Sequence, residues 1–132
     1  MCVLISSLPA YTPSQKITID EGMCKFQGHV YFKQYMPQKP NKYGMQLYML
    51  SKSDTGYNWN FSVYADERSD TVTLVKTLLA NLSGKGYTLF TDRFYTSPIL
   101  ASELEAAKSA LVGTTRKYRW GLPCAIKDPN LQ

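Results

Sequence analysis

Hydrophobic and polar residues alternate near the start of the chain, which is the pattern of a half-buried β-strand. In "KITID", Ile17 and Ile19 fall on one side of an extended backbone. We expect this strand to end near Asp20, because Glu21 and Gly22 then favour a turn. The strand therefore places a carboxylate at its carboxyl end.

Further extended stretches follow in the first half of the chain. "HVYFKQY" is one of them, and it leads into the proline-rich loop "MPQKPNKYG". "MQLYMLS" and "NWNFSVY" each place apolar side chains on alternate positions, with Asp54-Thr55-Gly56 between them. The pair predicts a hairpin whose loop is longer than two residues.

The period of the pattern then changes to that of a helix. The aliphatic residues with helical spacing are Val72, Val75, Leu78, Leu79 and Leu82. Ser69 or Asp70 is a suitable N-cap, and Gly84 is a suitable stop. A helix is therefore predicted between the hairpin and the next strand.

A strand, a helix and a strand complete the pattern. "GYTLFTD" is short and mostly apolar, as a central strand should be. Ser97-Pro98 has the form of an N-cap followed by proline at the first helical position, and the helix carries Leu100 and Leu104. "ALVGTTR" predicts the last strand. A helix between parallel strands fits a right-handed crossover, so the layout predicts a mixed α/β sheet.

Asp92 lies at the tip of the "GYTLFTD" strand, as Asp20 does in its own strand. Aspartate commonly ends strands through ordinary turn chemistry, and that reading stays open for Asp92. If the two strands are parallel neighbours, both carboxylates lie where open α/β sheets build their sites. Two facing carboxylates repel each other, and a divalent ion such as Mg²⁺ relieves that repulsion.

Composition narrows the class of protein. The 132 residues suggest one domain, and 15 basic against 10 acidic residues give a net charge of +5, which fits a polyanion partner as well as simple solubility. Three cysteines without a CxxC pair favour a reduced intracellular protein and, with the single His29, match no common zinc spacing. No signal peptide and no membrane-spanning segment is expected.

Basic residues gather in two places. Between Gly22 and Ser53 there is no acidic residue, while four tyrosines are interleaved with lysines. These lysines could hold phosphates, and the tyrosines could pack on sugars or bases. A solvated face with ordinary strand aromatics is the alternative at both clusters. The candidate DNA-binding residues are Lys25, Lys33, Lys39, Lys42, Arg116, Lys117 and Arg119.

Five ordered motifs resemble the piggyBac transposase family: "ITIDEGM", "MPQKPNKYG", "DTGY", "TDRFYTS" and "VGTTRK". The resemblance covers roughly residues 11–123, with 1–10 as an N-terminal extension and 124–132 as a tail. It implies a ribonuclease H-like mixed sheet with flanking helices. It also implies Mg²⁺-dependent DNA cleavage and strand transfer in the nucleus, and it is compatible with a homodimer. By resemblance, Asp20 and Asp92 match the first two catalytic, metal-binding aspartates.

The sequence also departs from the family. The family's third aspartate follows its last "VGTTR"-like strand after an inserted segment, and Asp128 comes too soon to take that role. The family's upstream region and cysteine-rich zinc domain have no counterpart either. We therefore expect a fragment, truncated at the C-terminus, that does not transpose DNA. The rivals are a domesticated non-catalytic DNA-binding or interaction protein and an unrelated small basic α/β binding module.

Overall fold

The computed structural model describes residues 14–64 and 70–124. Its elements are β1 (Lys16–Lys25), β2 (Gln34–Tyr35), β3 (Tyr43–Lys52), β4 (Asn58–Val63), α1 (Thr71–Leu78), β5 (Thr88–Thr91), α2 (Pro98–Ala106) and β6 (Ala110–Gly113). The predicted N-terminal extension, the Ser69 cap, Asp128 and all of the tail after Cys124 lie outside these residues. None of the helices in the two ranges is long and apolar enough to cross a membrane.

One mixed sheet contains all six strands, with β1 near its centre. On one side of β1 lies the antiparallel β3, whose far edge pairs with β4 and with the short β2. On the other side lie β5 and then β6, both parallel to β1. This arrangement confirms the mixed α/β sheet predicted from the sequence, with antiparallel strands early and parallel strands late.

The first strand is longer than its sequence suggests. The prediction of an end near Asp20 and a turn at Glu21-Gly22 is wrong, because β1 continues to Lys25. The continuation is fixed by β3, whose residues pair with β1 as far as Lys25 opposite Gly44. "HVYFKQY" is the opposite case, since only Gln34 and Tyr35 of it are paired as a strand.

The core lies on one face of the sheet, beneath both helices. Ile19 pairs with Leu50 across β1 and β3, and both side chains are almost fully buried. The helices contribute mainly leucine and valine: Leu74, Val75, Leu78, Leu100 and Leu104. Burying each such side chain contributes about 1.5–3 kcal/mol relative to exposure. The amide of Asn60 donates a buried hydrogen bond to the Leu78 carbonyl and fastens α1 to β4.

The opposite face is only partly covered in the described ranges. Asp20 pairs with Met49, and Met49 pairs with Phe61, so these three side chains share that face. Met49 and Phe61 are half-buried, and Val112 of β6 is exposed. The face that carries Asp20 is therefore apolar and in part open to solvent.

The two helices begin as the sequence predicts, but α1 ends earlier than expected. Ser97 caps α2 by accepting a hydrogen bond from the Leu100 amide at 3.1 Å, and Pro98 follows it. Asp70 is the N-cap of α1, although its side chain makes no capping bond. The helix ends at Leu78, while Leu82 is still buried in the turns that precede Gly84.

Candidate metal and DNA-binding edge

Asp20 and Asp92 lie at the same level of two neighbouring parallel strands. Ile19 of β1 pairs with Thr91 of β5, and each aspartate is the next residue along its chain. Ile19 and Thr91 are buried on the core face, so the aspartates start on the other face, and both are exposed. The structure therefore brings the two predicted residues to one edge of the sheet.

A tight turn after β5 holds the backbone of Asp92. Its carbonyl accepts hydrogen bonds from the Tyr95 and Thr96 amides, each at 3.1 Å. It accepts a third from the Thr96 hydroxyl at 2.9 Å. That hydroxyl also contacts the Thr91 hydroxyl at 2.8 Å. Residues of the motif "TDRFYTS" thus donate the hydrogen bonds that the Asp92 carbonyl accepts, and the Asp92 carboxylate faces solvent.

The carboxylate itself is oriented from β6. Thr114, directly after β6, donates a hydrogen bond from its hydroxyl to Oδ1 of Asp92 at 3.1 Å. Gly113 permits this approach, since a Cβ there would lie only 2.6 Å from the Thr91 carbonyl oxygen and would also clash with Thr96. A larger residue at this position would push β6 away from the Asp92 turn.

The surroundings of Asp20 include a second carboxylate and a buried tyrosine. Its Oδ1 accepts a hydrogen bond from the Glu21 amide at 2.8 Å. The neighbouring Glu21 carboxylate accepts one from the hydroxyl of Tyr95 at 2.9 Å. Tyr95 is 1% exposed, and burial, followed by the charge and hydrogen bond of Glu21, raises its pKa far above the usual value. The proton therefore stays on Tyr95, which keeps the bond to Glu21.

The donor set fits Mg²⁺, which prefers carboxylate oxygens and keeps several waters. In each aspartate only Oδ1 accepts a hydrogen bond from the described residues, so Oδ2 is available to an ion. Within residues 14–64 and 70–124, His, Cys, Asp and Glu form no group of three or more that could hold a metal. The assignment of Asp20 and Asp92 as ligands stays a prediction from the sequence.

A basic pocket of about 380 Å³ lies at the carboxyl end of β1. We call it the lysine pocket; it is lined by Lys25, Phe26, Gln27, Lys33, Pro40, Asn41, Lys42 and Tyr43. The Lys33 ammonium lies 5.5 Å from the centre of the Tyr43 ring. Lys39 is outside this lining, and its ammonium donates to the Glu21 carbonyl at 3.2 Å. Three of the four predicted lysines therefore line one pocket, whereas the fourth, Lys39, contacts the protein backbone.

A second basic pocket, of about 610 Å³, lies beyond the carboxyl ends of β5 and β6. We call it the arginine pocket; it is lined by Thr71, Arg93, Phe94, Arg116, Tyr118 and Arg119. Arg119 donates to the carbonyls of Arg93 at 2.6 Å and Phe94 at 3.4 Å. Lys117 is exposed, with its ammonium 5.8 Å from the Tyr118 ring centre. Arg116 therefore faces the pocket, whereas Arg119 builds its wall.

Sequence reasoning did not assign several residues of this edge. Glu21, Tyr95, Thr114 and Arg93 all belong to the quoted motifs, but only their aspartates and the later basic cluster were singled out. The one available signal was the position of each residue beside an aspartate or inside the same motif. Their hydrogen bonds join segments far apart in sequence, which spacing alone does not reveal.

Comparison with known proteins identifies the family. The family profile described as Transposase IS4 matches residues 7–132. The chain belongs to the transposase IS4 family. Among solved structures, this transposase-family chain is similar to that of a piggyBac transposase synaptic complex with hairpin DNA, determined by cryo-electron microscopy. The TM-score is 0.77 and the sequence identity 32%, over 92% of this chain and 27% of the other.

These matches confirm two predictions made from the sequence. The resemblance to piggyBac transposases is confirmed, and so is the fold class, a ribonuclease H-like mixed sheet with flanking helices. The transposase-family chain spans only about a quarter of the length of the structure that it matches, 27%. The roles of individual residues are not tested by either match.

Proposed function

We propose that this transposase-family chain provides a DNA-binding edge of a transposase catalytic domain, with Asp20 and Asp92 as metal ligands. The observation that carries the proposal is the placement of both aspartates at the same level of two neighbouring parallel strands. The lysine pocket lies further along β1, and the arginine pocket includes Arg93, the residue after Asp92. Transposases of this class generally use a divalent metal ion. The solved relative is a complex with DNA, which supports DNA as the partner.

The residues of the edge have different proposed roles. Asp20 and Asp92 offer carboxylate oxygens to Mg²⁺, and Thr114 orients Asp92 through its hydroxyl. When bound, the ion would activate an attacking oxygen and stabilise the leaving oxygen of a phosphodiester. The lysine pocket and Arg116 hold the phosphates that flank the reacting bond, because such contacts position a strand without reading its sequence.

We further propose that the 132-residue chain by itself binds DNA without transposing it. The resemblance implies three aspartates, and the sequence provides matches for two. Two-metal chemistry needs both ions held within about half an ångström of their productive positions, which two carboxylates alone do not achieve. A non-catalytic DNA-binding protein is the corresponding alternative. The homodimer and the nuclear location implied by the resemblance stay predictions.

Duplex binding at increasing salt concentration tests the DNA-binding edge. Each phosphate contact steepens the fall of log K with log salt by about 0.9 on B-form DNA. Replacing Lys33 and Lys42 with glutamine should weaken binding to all duplexes equally and reduce the slope of log K against log salt by up to roughly 1.8. Lys85→Gln is the matched control, because Lys85 is exposed and precedes β5 at the opposite end of the sheet. An equal effect of the control, or a flat profile for the wild type, would reject the proposal.

Metal binding and cleavage test the aspartates. Mn²⁺ binding followed by electron paramagnetic resonance should weaken in Asp20→Asn and in Asp92→Asn but not in Asp54→Asn, which changes an exposed carboxylate in the β3–β4 loop. With a family-type transposon end and Mg²⁺ or Mn²⁺, we expect no strand cleavage by the chain alone. Cleavage that disappears in Asp92→Ala would show that this chain is itself an active nuclease.

A further inference from the structure

The backbone of Glu21 lies beyond the end of the neighbouring parallel strand. Just before β1, the Gln15 carbonyl accepts a hydrogen bond from the Thr88 amide at 2.8 Å, so the backbone groups of Gln15 face β5. Alternate residues of a strand face the same neighbour, and Glu21 is therefore on the same side as Gln15. The pairing of β1 with β5 stops at Ile19 opposite Thr91. The amide and the carbonyl of Glu21 consequently need partners other than a strand.

Side chains provide those partners. The Glu21 amide donates a hydrogen bond to Oδ1 of Asp20 at 2.8 Å, and the Lys39 ammonium donates one to the Glu21 carbonyl at 3.2 Å. The Glu21 carboxylate accepts a hydrogen bond from the hydroxyl of Tyr95 at 2.9 Å, and Tyr95 is buried in the core. Glu21 is thus held at its carbonyl and at its carboxylate, while its amide holds Asp20.

These contacts set the orientation of the Asp20 carboxylate. Because Oδ1 is bonded to the Glu21 amide, the side chain of Asp20 has less rotational freedom, and Oδ2 is available to an ion. A ligand that is oriented before binding loses less conformational entropy when it binds. Replacing Tyr95 or Lys39 leaves the Glu21 amide in the chain, so these two residues control where that amide lies rather than whether it is present.

We propose that Glu21 is a positioning residue of the candidate metal site, held by Tyr95 and Lys39 so that its amide orients the Asp20 carboxylate. This role requires no contact between Glu21 and the ion. It also gives Lys39 a function that differs from the phosphate contact predicted from its charge. The inference rests on the proposed metal binding by Asp20 and adds the residues that orient this ligand.

Lys39→Met separates positioning from a simple effect of charge. Loss of a positive charge near Asp20 would by itself strengthen the binding of a cation, whereas loss of the contact with the Glu21 carbonyl should weaken it. We expect the affinity for Mn²⁺, measured by electron paramagnetic resonance, to fall about 10-fold, as for other partners of metal ligands. Lys85→Met removes the same charge from an exposed residue at the opposite end of the sheet and should leave the affinity unchanged. Unchanged or tighter Mn²⁺ binding by Lys39→Met would overturn the proposal.

Tyr95→Phe tests the second contact without changing any charge. Its Mn²⁺ affinity should also fall about 10-fold, because the Glu21 carboxylate loses its hydrogen-bond donor. Tyr87→Phe is the matched control, since it removes the hydroxyl of another buried tyrosine, directly before β5. Measurements below the melting temperature of each variant keep unfolding out of the comparison. Equal Mn²⁺ affinities of the two tyrosine variants would contradict the positioning role.

A double-mutant cycle shows whether Tyr95 acts through Glu21. In a Glu21→Ala background, Tyr95→Phe should cause no further loss of Mn²⁺ affinity, because its hydrogen-bond partner is already absent. Glu21→Gln keeps an oxygen that can accept the hydrogen bond from Tyr95, so it should bind Mn²⁺ more tightly than Glu21→Ala does. Additive losses, or equal affinities of the two Glu21 variants, would overturn the inference.

Asp20→Asn separates the failure of this inference from the failure of the metal site. Loss of Mn²⁺ binding in Asp20→Asn, together with wild-type affinity in Lys39→Met and Tyr95→Phe, would overturn the positioning role and leave the metal site supported. Wild-type affinity in Asp20→Asn would overturn both proposals, because the oriented carboxylate would not be a ligand.

Discussion

The hydroxyl of Tyr95 connects the buried core to the candidate metal edge. It donates to Glu21, whose amide in turn contacts the Asp20 carboxylate. Tyr95→Phe removes this one atom and keeps the ring, including its edge-to-face contact with Tyr48 at 6.4 Å between ring centres. The change therefore isolates the hydrogen bond from the packing.

The expected loss can be worked out from the burial of the two partners. A hydrogen bond to a charged group contributes about 1.5–3 kcal/mol. Glu21 is only half-buried, so water replaces the lost donor in the variant, and the loss should fall near the lower end. We expect about 1.5 kcal/mol less free energy of unfolding. With a urea m-value of about 2 kcal/mol/M, the midpoint falls by roughly 0.75 M.

Urea denaturation followed by tryptophan fluorescence measures this shift. Tyr87→Phe is the matched control, because Tyr87 is also buried in the core but its hydroxyl makes no hydrogen bond to a described residue. The control should change the free energy of unfolding by less than about 0.5 kcal/mol. Equal losses in the two variants would refute the role given to the Tyr95–Glu21 bond.

Three further predictions concern stability. Burial, together with Glu21, raises the pKa of Tyr95, so above about pH 10 the unfolded state loses this proton before the folded state does. In alkaline denaturation, the free energy of unfolding should therefore fall by up to about 1.4 kcal/mol per pH unit, and less steeply in Tyr95→Phe. Ser97→Ala should cost about 1 kcal/mol in thermal denaturation, whereas Asp70→Ala should cost less, because only Ser97 makes a capping bond; equal losses would contradict this. Gly113→Ala should cost about 1–3 kcal/mol, because its Cβ meets the Thr91 carbonyl; a neutral result in the same assay would show that β6 can shift.

Features set by a few neighbouring residues could be predicted from the sequence. The cap at Ser97-Pro98 and the end of β5 just before Asp92 follow from local hydrogen bonding and fixed backbone angles. The parallel pairing of β5 with β6 follows from the strand–helix–strand order, which restricts the possible topologies. The prediction that Asp20 and Asp92 meet required β1 and β5 to be parallel neighbours, and the structure shows that they are.

Features set by distant partners could not be predicted. Glu21-Gly22 favours a turn locally, yet pairing with β3 keeps both residues in β1. Arg119 was counted among the DNA-binding residues from its charge alone, but its guanidinium contacts carbonyls 25 and 26 residues earlier in the chain. A basic side chain can donate hydrogen bonds to backbone carbonyls as well as to a phosphate, and only the fold shows which of these partners it has.

The turn at Asp92 separates the structural role of this residue from its chemical role. Three hydrogen bonds end on its main-chain carbonyl, while its side chain receives one, from Thr114. The fold therefore depends mainly on the backbone of this residue, which every substitution except proline preserves. Asp92→Asn removes the negative charge and keeps a side-chain oxygen that can still accept a hydrogen bond from the Thr114 hydroxyl. A loss of Mn²⁺ binding in that variant, with an unchanged melting temperature, would consequently be assigned to the carboxylate rather than to damage in the turn.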